Sequence, residues 1–216
     1  MYKDLLIFDL DGTLVDTVKD LNQSLNYAFS KNGFPSKSVE HTAHAIGNGI
    51  FITIKRSVSE GTADEMLNQI LSDFRSHYKD HCLDNSLPYA GMKGALLVLK
   101  KYGYKLAVAT NKLDEIAKKI INELYPNIFD MIQGDSPEFE KKPNPAIINH
   151  IAKTLKVDKR CIVYIGDSEV DIESATNAHV DLILCDYGFH RTDEFLRIAA
   201  TRIKKPQDLL AVLNIK

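Results

Sequence analysis

Cysteine is scarce in this sequence. The 216 residues hold three, Cys82, Cys161 and Cys185, whose odd number and wide spacing exclude a disulfide framework and a paired zinc-ligand pattern. Buried free thiols are expected instead. An excess of charge is missing too: 27 Lys and Arg stand against 29 Asp and Glu, a formal charge of −2. No global basic field therefore draws nucleic acid or anionic lipid, and any anion site must be local. No apolar run approaches the roughly 18 residues of a membrane helix. The opening Met1-Tyr2-Lys3-Asp4 passes at once into a strand-like run, without the charged, apolar and small-residue regions of a signal peptide. Cytoplasm is the expected compartment, with neither membrane nor nucleic acid as partner. Repeats and low-complexity segments are absent, and Lys118-Lys119 and Lys204-Lys205 read as solvated charges.

What the chain does have is an alternation of short apolar runs and longer amphipathic stretches. Leu5-Leu6-Ile7-Phe8, Leu106-Ala107-Val108-Ala109, Cys161-Ile162-Val163-Tyr164-Ile165 and Leu182-Ile183-Leu184-Cys185 are continuous, as in strands buried on both faces. Phe129-Asp130-Met131-Ile132-Gln133 supplies a weaker fifth. Between them Ile116, Ile120, Ile121 and Leu124, then Ile147, Ile148, Ile151 and Leu155, recur at helical spacing. That order predicts right-handed βαβ units in an α/β fold, a doubly wound parallel sheet with a Rossmann-like core. Residues 16–88 break the rhythm. Leu21, Leu25, Ala28 and Phe29 form one stripe there, and Met66, Leu67, Ile70, Leu71, Phe74 and Tyr78 a longer one. The stretch reads as an inserted α-helical domain, punctuated by turns at Gly33-Phe34-Pro35-Ser36 and Gly47-Asn48-Gly49, leaving 1–15 and 89–216 as the core.

In an open parallel sheet, ligands bind beyond the carboxyl ends of the strands, so the polar residues closing each apolar run mark the site. The first run closes in Asp9-Leu10-Asp11-Gly12-Thr13, the second in Thr110-Asn111-Lys112, and the Cys161 run in Gly166-Asp167-Ser168-Glu169-Val170-Asp171. Lys141-Lys142-Pro143 stands before a helix, with Pro143 expected at its first position. Asp9, Asp11, Asp167 and Asp171 crowded at one edge repel unless a hard dication sits among them, and Mg²⁺ is the expected one. The Thr110 hydroxyl, Asn111 amide and Lys142 ammonium suit phosphate oxygens. Taken singly, Asp-Gly is a common turn, Thr-Asn-Lys a common helix start and Lys-Pro an ordinary loop. Their joint placement carries the argument.

At these residues the sequence resembles the haloacid dehalogenase superfamily of aspartate-nucleophile phosphotransferases, over nearly the whole chain. Its four motifs are matched in order by Asp9 to Thr17, Val108 to Lys112, Lys142-Pro143-Asn144-Pro145, and Gly166 to Asp171. The helical insertion after the first motif is similar to the cap of the phosphoglycolate phosphatase-like branch. Ile46-Gly47-Asn48-Gly49 and Gln133-Gly134-Asp135-Ser136 look like the bacterial members of that branch. The resemblance implies that Asp9 attacks phosphorus and that Asp11 is the general acid and base. It implies that Mg²⁺ is held by Asp9, the Asp11 carbonyl and Asp167, with Asp171 bound directly or through water. Gly12, Thr110, Asn111 and Lys142 then hold the phosphoryl group.

A small phosphorylated metabolite is the expected substrate. The Gly47-Asn48-Gly49 turn offers backbone N–H groups to an anion, with Lys55 and Arg56 on the following helical turns. A carboxylated phosphomonoester such as 2-phosphoglycolate suits that chemistry; pyrophosphate, a sugar phosphate or a nucleoside monophosphate fits too. A dehalogenase would need neither Asp11 nor Mg²⁺, and a phosphoacceptor signalling module has no place for the insertion. His77 and His81, at i and i+4 beside Cys82, lack the Glu of a metalloprotease helix and are expected to be a satisfied pair. His179 replaces a glycine common in relatives, and it is expected either to occupy a roomier turn or to sit near the surface.

Overall fold

Leu5, Leu6, Ile7 and Phe8 have no exposed surface, the condition of a strand covered on both faces. In the computed structural model, which describes residues 3–190, 195 and 198–215, they form β1 (Leu5–Phe8). This strand pairs in parallel with β4 (Lys105–Leu113) on one side and β6 (Ile162–Gly166) on the other. Beyond β4 lies β5 (Met131–Asp135); beyond β6 lie β7 (Asp181–Cys185) and β8 (Thr201–Ile203). The sheet order is β5-β4-β1-β6-β7-β8 and every pairing is parallel. Counted among these strands alone, the order is that of the Rossmann fold, with its reversal between β1 and β6. The expected fold class is therefore found, and the carboxyl ends of β1 and β6 flank the crevice where such sheets bind ligands.

The helices of this unit are α5 (Met92–Lys101), α6 (Asp114–Leu124), α7 (Ala146–Thr154), α8 (Glu169–Ala178) and α9 (Asp208–Val212). Strand alternation sends Leu5, Ile7, Ala107, Ala109, Ile162 and Tyr164 to one face, where Ile147, Ile148 and Ile151 of α7 and Ala175 and Ala178 of α8 cover them. Each large aliphatic side chain buried here contributes about 1.5–3 kcal/mol. The small Ala107 and Ala109 leave room for the isoleucines of α7 beside the bulkier Tyr164.

Two compact units divide the chain, 1–15 with 88–216 and 16–87. Where the chain leaves and re-enters the larger unit, two short strands, β2 (Val15–Asp16) and β3 (Leu87–Pro88), pair with each other. The smaller unit holds α1 (Val18–Lys31), α2 (Val39–Ala45), α3 (Ile50–Ser57) and α4 (Asp64–His81). Leu21, Leu25, Ala28 and Phe29 of α1 are buried, as are Leu67, Ile70, Phe74 and Tyr78 of α4. Met66 is exposed and Leu71 only half-buried, because the spacing of 67, 70, 74 and 78 turns both away from the stripe. Asp20 pins the returning chain, its carboxylate accepting from the N–H groups of Asn85 and Ser86 and from the Ser86 hydroxyl.

Asp73 joins α4 to the end of α1 by accepting from Lys31, Asn32 and Gln69. The Lys31 ammonium first, then the two amides, hold its carboxyl at about 2, below the ordinary 3.8. Asp73→Asn is expected to cost about 1–2 kcal/mol at pH 7, discounted for the half-exposed Lys31. A carboxyl depressed on folding stabilises above its unfolded value and loses that contribution as pH falls through the folded one. The difference between wild type and variant in urea unfolding should therefore shrink as pH is lowered from 5 towards 3. A difference independent of pH would show that charge is not what Asp73 contributes.

His77 and His81 stack at 4.1 Å between ring centroids. The first shares a hydrogen bond with Ser24 Oγ and the second pairs with Asp84. None of the three cysteines forms a disulfide; Cys82 and Cys185 are buried, whereas Cys161, in a 3₁₀ turn Lys159–Cys161 before β6, is half-buried. His179 is exposed and takes a left-handed backbone conformation, φ 58°, as it caps α8.

Candidate active site

The carboxyl edge of β1 and β6 begins with Asp9, whose N–H extends the ladder to the Ile165 carbonyl at 2.8 Å. The chain then folds back on itself, as Thr13, Leu14 and Val15 all donate to the Leu10 carbonyl. Gly12 makes that turn possible. Its φ is +82°, and a Cβ there would lie 2.2 Å from Asp167 Oδ2, so any side chain would push Asp167 out of the edge. Its N–H donates to Val15 within the turn. Gly12 thus supplies space beside Asp167.

Strand β4 continues past the apolar run through Thr110, Asn111 and Lys112, all buried although polar. The Asn111 amide nitrogen donates to the Lys142 carbonyl at 3.0 Å and its oxygen accepts from the Lys142 N–H at 2.8 Å, a reciprocal clamp that fixes the lysine's backbone. Pro143 is likewise not the first residue of a helix. The Lys142–Pro143 bond is cis, Asn144 closes a turn onto Lys141, and α7 starts at Ala146, whose N–H the Asn144 side chain receives.

Lys142 is 4% exposed. Its Nζ lies 2.9 Å from Asp9 Oδ1, 2.8 Å from Asp171 Oδ1 and 2.8 Å from the Tyr164 hydroxyl. Burial opposes its charge, but Asp171 and Asp9 more than reverse this and hold its pKa well above the usual lysine value. Tyr164, whose hydroxyl also reaches the Ala109 carbonyl and Asp171, joins β4, β6 and α8 around the ammonium.

Asp167 is 1% exposed. It accepts from the Thr13 hydroxyl at 2.9 Å on one oxygen and from the Phe189 N–H at 2.7 Å on the other. Burial, then the charges of Asp171 and Asp9, push its carboxyl well above the ordinary range. Asp9 is raised to about 6, chiefly by burial, with Lys142 working against the rise. Asp171 is the exception. Although fully buried, it is held below the usual value by Lys142 and by donors from Ser168 and Tyr164. Its Oδ2 receives the N–H groups of Asp167 and Ser168 and the Ser168 hydroxyl, in a capping box on α8. Bonding a cation directly would require one of these donors to leave.

The carboxylate oxygens of Asp9, Asp167 and Asp171 lie within 4.8 Å of one another. Lys142 balances only one of three charges. Asp9 Oδ1 is a buried oxygen with no well-directed hydrogen bond, since the ammonium beside it lies off the bonding direction. An all-oxygen donor set, a deficit of positive charge and an unsatisfied buried acceptor together fit a hard divalent cation such as Mg²⁺.

The structure thus gathers Asp9, Gly12, Thr110, Asn111, Lys142, Asp167 and Asp171 along one edge, with Asp11 held by Lys112. Gly47, Asn48, Gly49 and Arg56 belong to the smaller unit. There Gly49 precedes α3 at φ +84°, and the Arg56 guanidinium donates to the Ala45 carbonyl and Asn48 Oδ1. Arg56 is exposed yet tied to its own loop; Lys55 is exposed beside it. Thr13, Lys112, Tyr164 and Ser168 were not singled out from sequence. Tyr164 carried a signal, a hydroxyl inside a fully buried strand, which demands a buried partner.

Residues 6–185 match the family described as haloacid dehalogenase-like hydrolase. The phosphoglycolate phosphatase of Colwellia psychrerythraea (strain 34H / ATCC BAA-681) is 34% identical over 196 residues, 87% of this chain and 86% of its own. That of Aquifex aeolicus (strain VF5) is 28% identical over 211 residues, 97% and 96% of the two chains. A solved structure from Lactobacillus delbrueckii subsp. bulgaricus ATCC BAA-365 superposes with a TM-score of 0.92 at 31% identity, over 99% of both chains. Matched along most of its length and sharing this fold, the chain belongs to the haloacid dehalogenase-like hydrolases.

Proposed function

We propose that the chain is a Mg²⁺-dependent phosphomonoesterase that works through an aspartyl-phosphate on a small phosphorylated metabolite, 2-phosphoglycolate first. The observation that carries this is the edge itself, where a buried Asp9 with an unsatisfied oxygen stands between Lys142 and Asp167 at the point where the strand order reverses. The phosphoglycolate phosphatases among its relatives support the choice of substrate.

Asp9 attacks phosphorus, and the P–O bond to the leaving alcohol breaks as the Asp9–phosphorus bond forms. Asp11, two residues along the turn, gives its proton to the departing alkoxide and later takes one from the attacking water. The Thr110 hydroxyl and the Lys142 ammonium meet the equatorial oxygens of the phosphoryl group. Asp9, Asp167 and the Asp11 carbonyl would hold Mg²⁺, with Asp171 behind them anchoring Lys142. When bound, the ion neutralises the carboxylates and the phosphoryl charge so that anion can approach anion. The inserted helical unit is the cap, and three scarce cysteines, none in a disulfide, suit a reducing cytoplasm. No helix among the described residues is long and apolar enough to cross a membrane.

The test is a panel of phosphomonoesters and pyrophosphate, ranked by kcat/KM with Mg²⁺ and repeated in EDTA. 2-Phosphoglycolate should rank first, activity should vanish in chelator, and Mg²⁺ should restore it. A different leading substrate would move the reading to another phosphatase of the family. Full activity in chelator would end the metal-dependent mechanism.

A further inference from the structure

We propose that Lys112 is a specificity-determining residue that recognises a second negative charge on the leaving group; this rests on the phosphomonoesterase reading above. Its side chain is 5% exposed, and Nζ lies 2.7 and 2.9 Å from the two oxygens of Asp11. Burying an ammonium is costly, and a lysine serving only solubility would stand in water. Here the backbone is built to place it. Strand β4 shifts register against β5 between Ala109 and Leu113, and the Lys112 N–H donates to Thr110 Oγ1 at 3.3 Å. Gly134 of β5 passes so close that a Cβ would lie 2.6 Å from the Lys112 carbonyl and 2.5 Å from Asp114 Cα. The Gly134 N–H meets Asp114 Oδ1 at 2.9 Å, which locks the two strand ends together one residue beyond Leu113.

To act on the ester oxygen, the Asp11 carboxylate must turn from this bidentate contact and take up a proton from solvent, the one it then gives to the departing alkoxide. Lys112 then presents a buried cation at the place where the leaving group begins. In 2-phosphoglycolate a single carbon separates the ester oxygen from a carboxylate, so that carboxylate takes the place of Asp11 on the ammonium. A leaving group of the same size without charge offers the ammonium no anion in place of Asp11, and its transition state is held less strongly than that of the acid. Lys112 exchanges one anion for another, and in doing so reads the substrate.

The experiment compares 2-phosphoglycolate with its neutral amide for wild type, Lys112→Met and Lys112→Arg, all with Mg²⁺. Wild type should favour the acid by about 10- to 100-fold in kcat/KM, the worth of one charge-assisted hydrogen bond. Lys112→Met should bring the ratio close to one whatever its absolute rates, and Lys112→Arg should keep most of it. Free glycolate should inhibit wild type competitively and lose that effect in Lys112→Met, while inhibition by inorganic phosphate persists. An equal loss on acid and amide in Lys112→Met would overturn the proposal, as would a preference that survives the substitution. If Lys112→Met does not fold, Lys112→Arg decides, and loss of the preference there with phosphate inhibition intact overturns the proposal as well. Hydrolysis by wild type without discrimination ends this inference alone, whereas no hydrolysis of any phosphomonoester ends the functional reading with it.

Discussion

Asp9→Asn should fold as the wild type does and turn over substrate more slowly by on the order of 10⁵-fold or more, the scale on which removal of a nucleophile is felt. The amide keeps the shape of the carboxylate, its backbone N–H still donates to Ile165, and Lys142 retains Asp171 as counter-charge. The nucleophile is lost, because an amide oxygen does not form a stable acyl-phosphate, and one carboxylate charge is lost from the candidate cation site with it. Thermal melts of the two proteins should agree within a few degrees, so a fall in rate cannot be charged to unfolding. Turnover within about tenfold of wild type would remove Asp9 from the reaction and with it the aspartyl-phosphate.

Lys142→Met has the largest expected effect on stability. The ammonium lies against two buried carboxylates and a buried phenol, and removing one partner of a buried charged group typically costs about 3–5 kcal/mol. Methionine fills the volume but leaves Asp9 and Asp171 facing each other without compensation. Urea unfolding in the presence of EDTA should show that loss. Asp171→Asn added to Lys142→Met should return part of it, since it removes one of the two stranded charges while its amide oxygen still accepts from Asp167 and Ser168. Activity should fall by at least about 10²-fold, the worth of one donor to the developing charge. A Lys142→Met protein within about 1 kcal/mol of wild type would show that the carboxylates shed their charge elsewhere.

The four main strands of the core could be read from the sequence because a strand buried on both faces has to be continuously apolar, and Leu5 to Phe8 or Leu182 to Cys185 have no other use for such a run. β8 escaped notice because it is three residues long with Arg202 at its centre, whose guanidinium leaves the sheet for Asp186. The polar end of β4 escaped for the opposite reason: Thr110, Asn111 and Lys112 look like a loop, and only burial on the finished sheet makes them strand. Asp9, Thr110 and Asp167 stood out as polar residues closing apolar runs and Lys142 as a lysine just before a helix, and the structure brings them together at one edge. Their partners did not stand out. Lys112 meets Asp11 across 101 positions of chain, and Asn111 turns to the Lys142 backbone rather than outward, because pairing is decided by register and not by residue type.

The pairing of Val15–Asp16 with Leu87–Pro88 brings the two ends of the helical insertion together. Its two ends stand one strand spacing apart, about 4.8 Å, so it displaces the core chain by nothing, however long it is. A helical segment of another length or shape could be exchanged at the same ribbon without moving Asp9, six residues upstream of Val15, or any strand of the sheet. Because closure entropy grows only with the logarithm of loop length, such an exchange costs little. The inserted third of the chain, residues 16–87, is therefore a replaceable module, and the sheet with its carboxylate edge does not depend on which insertion the ribbon carries.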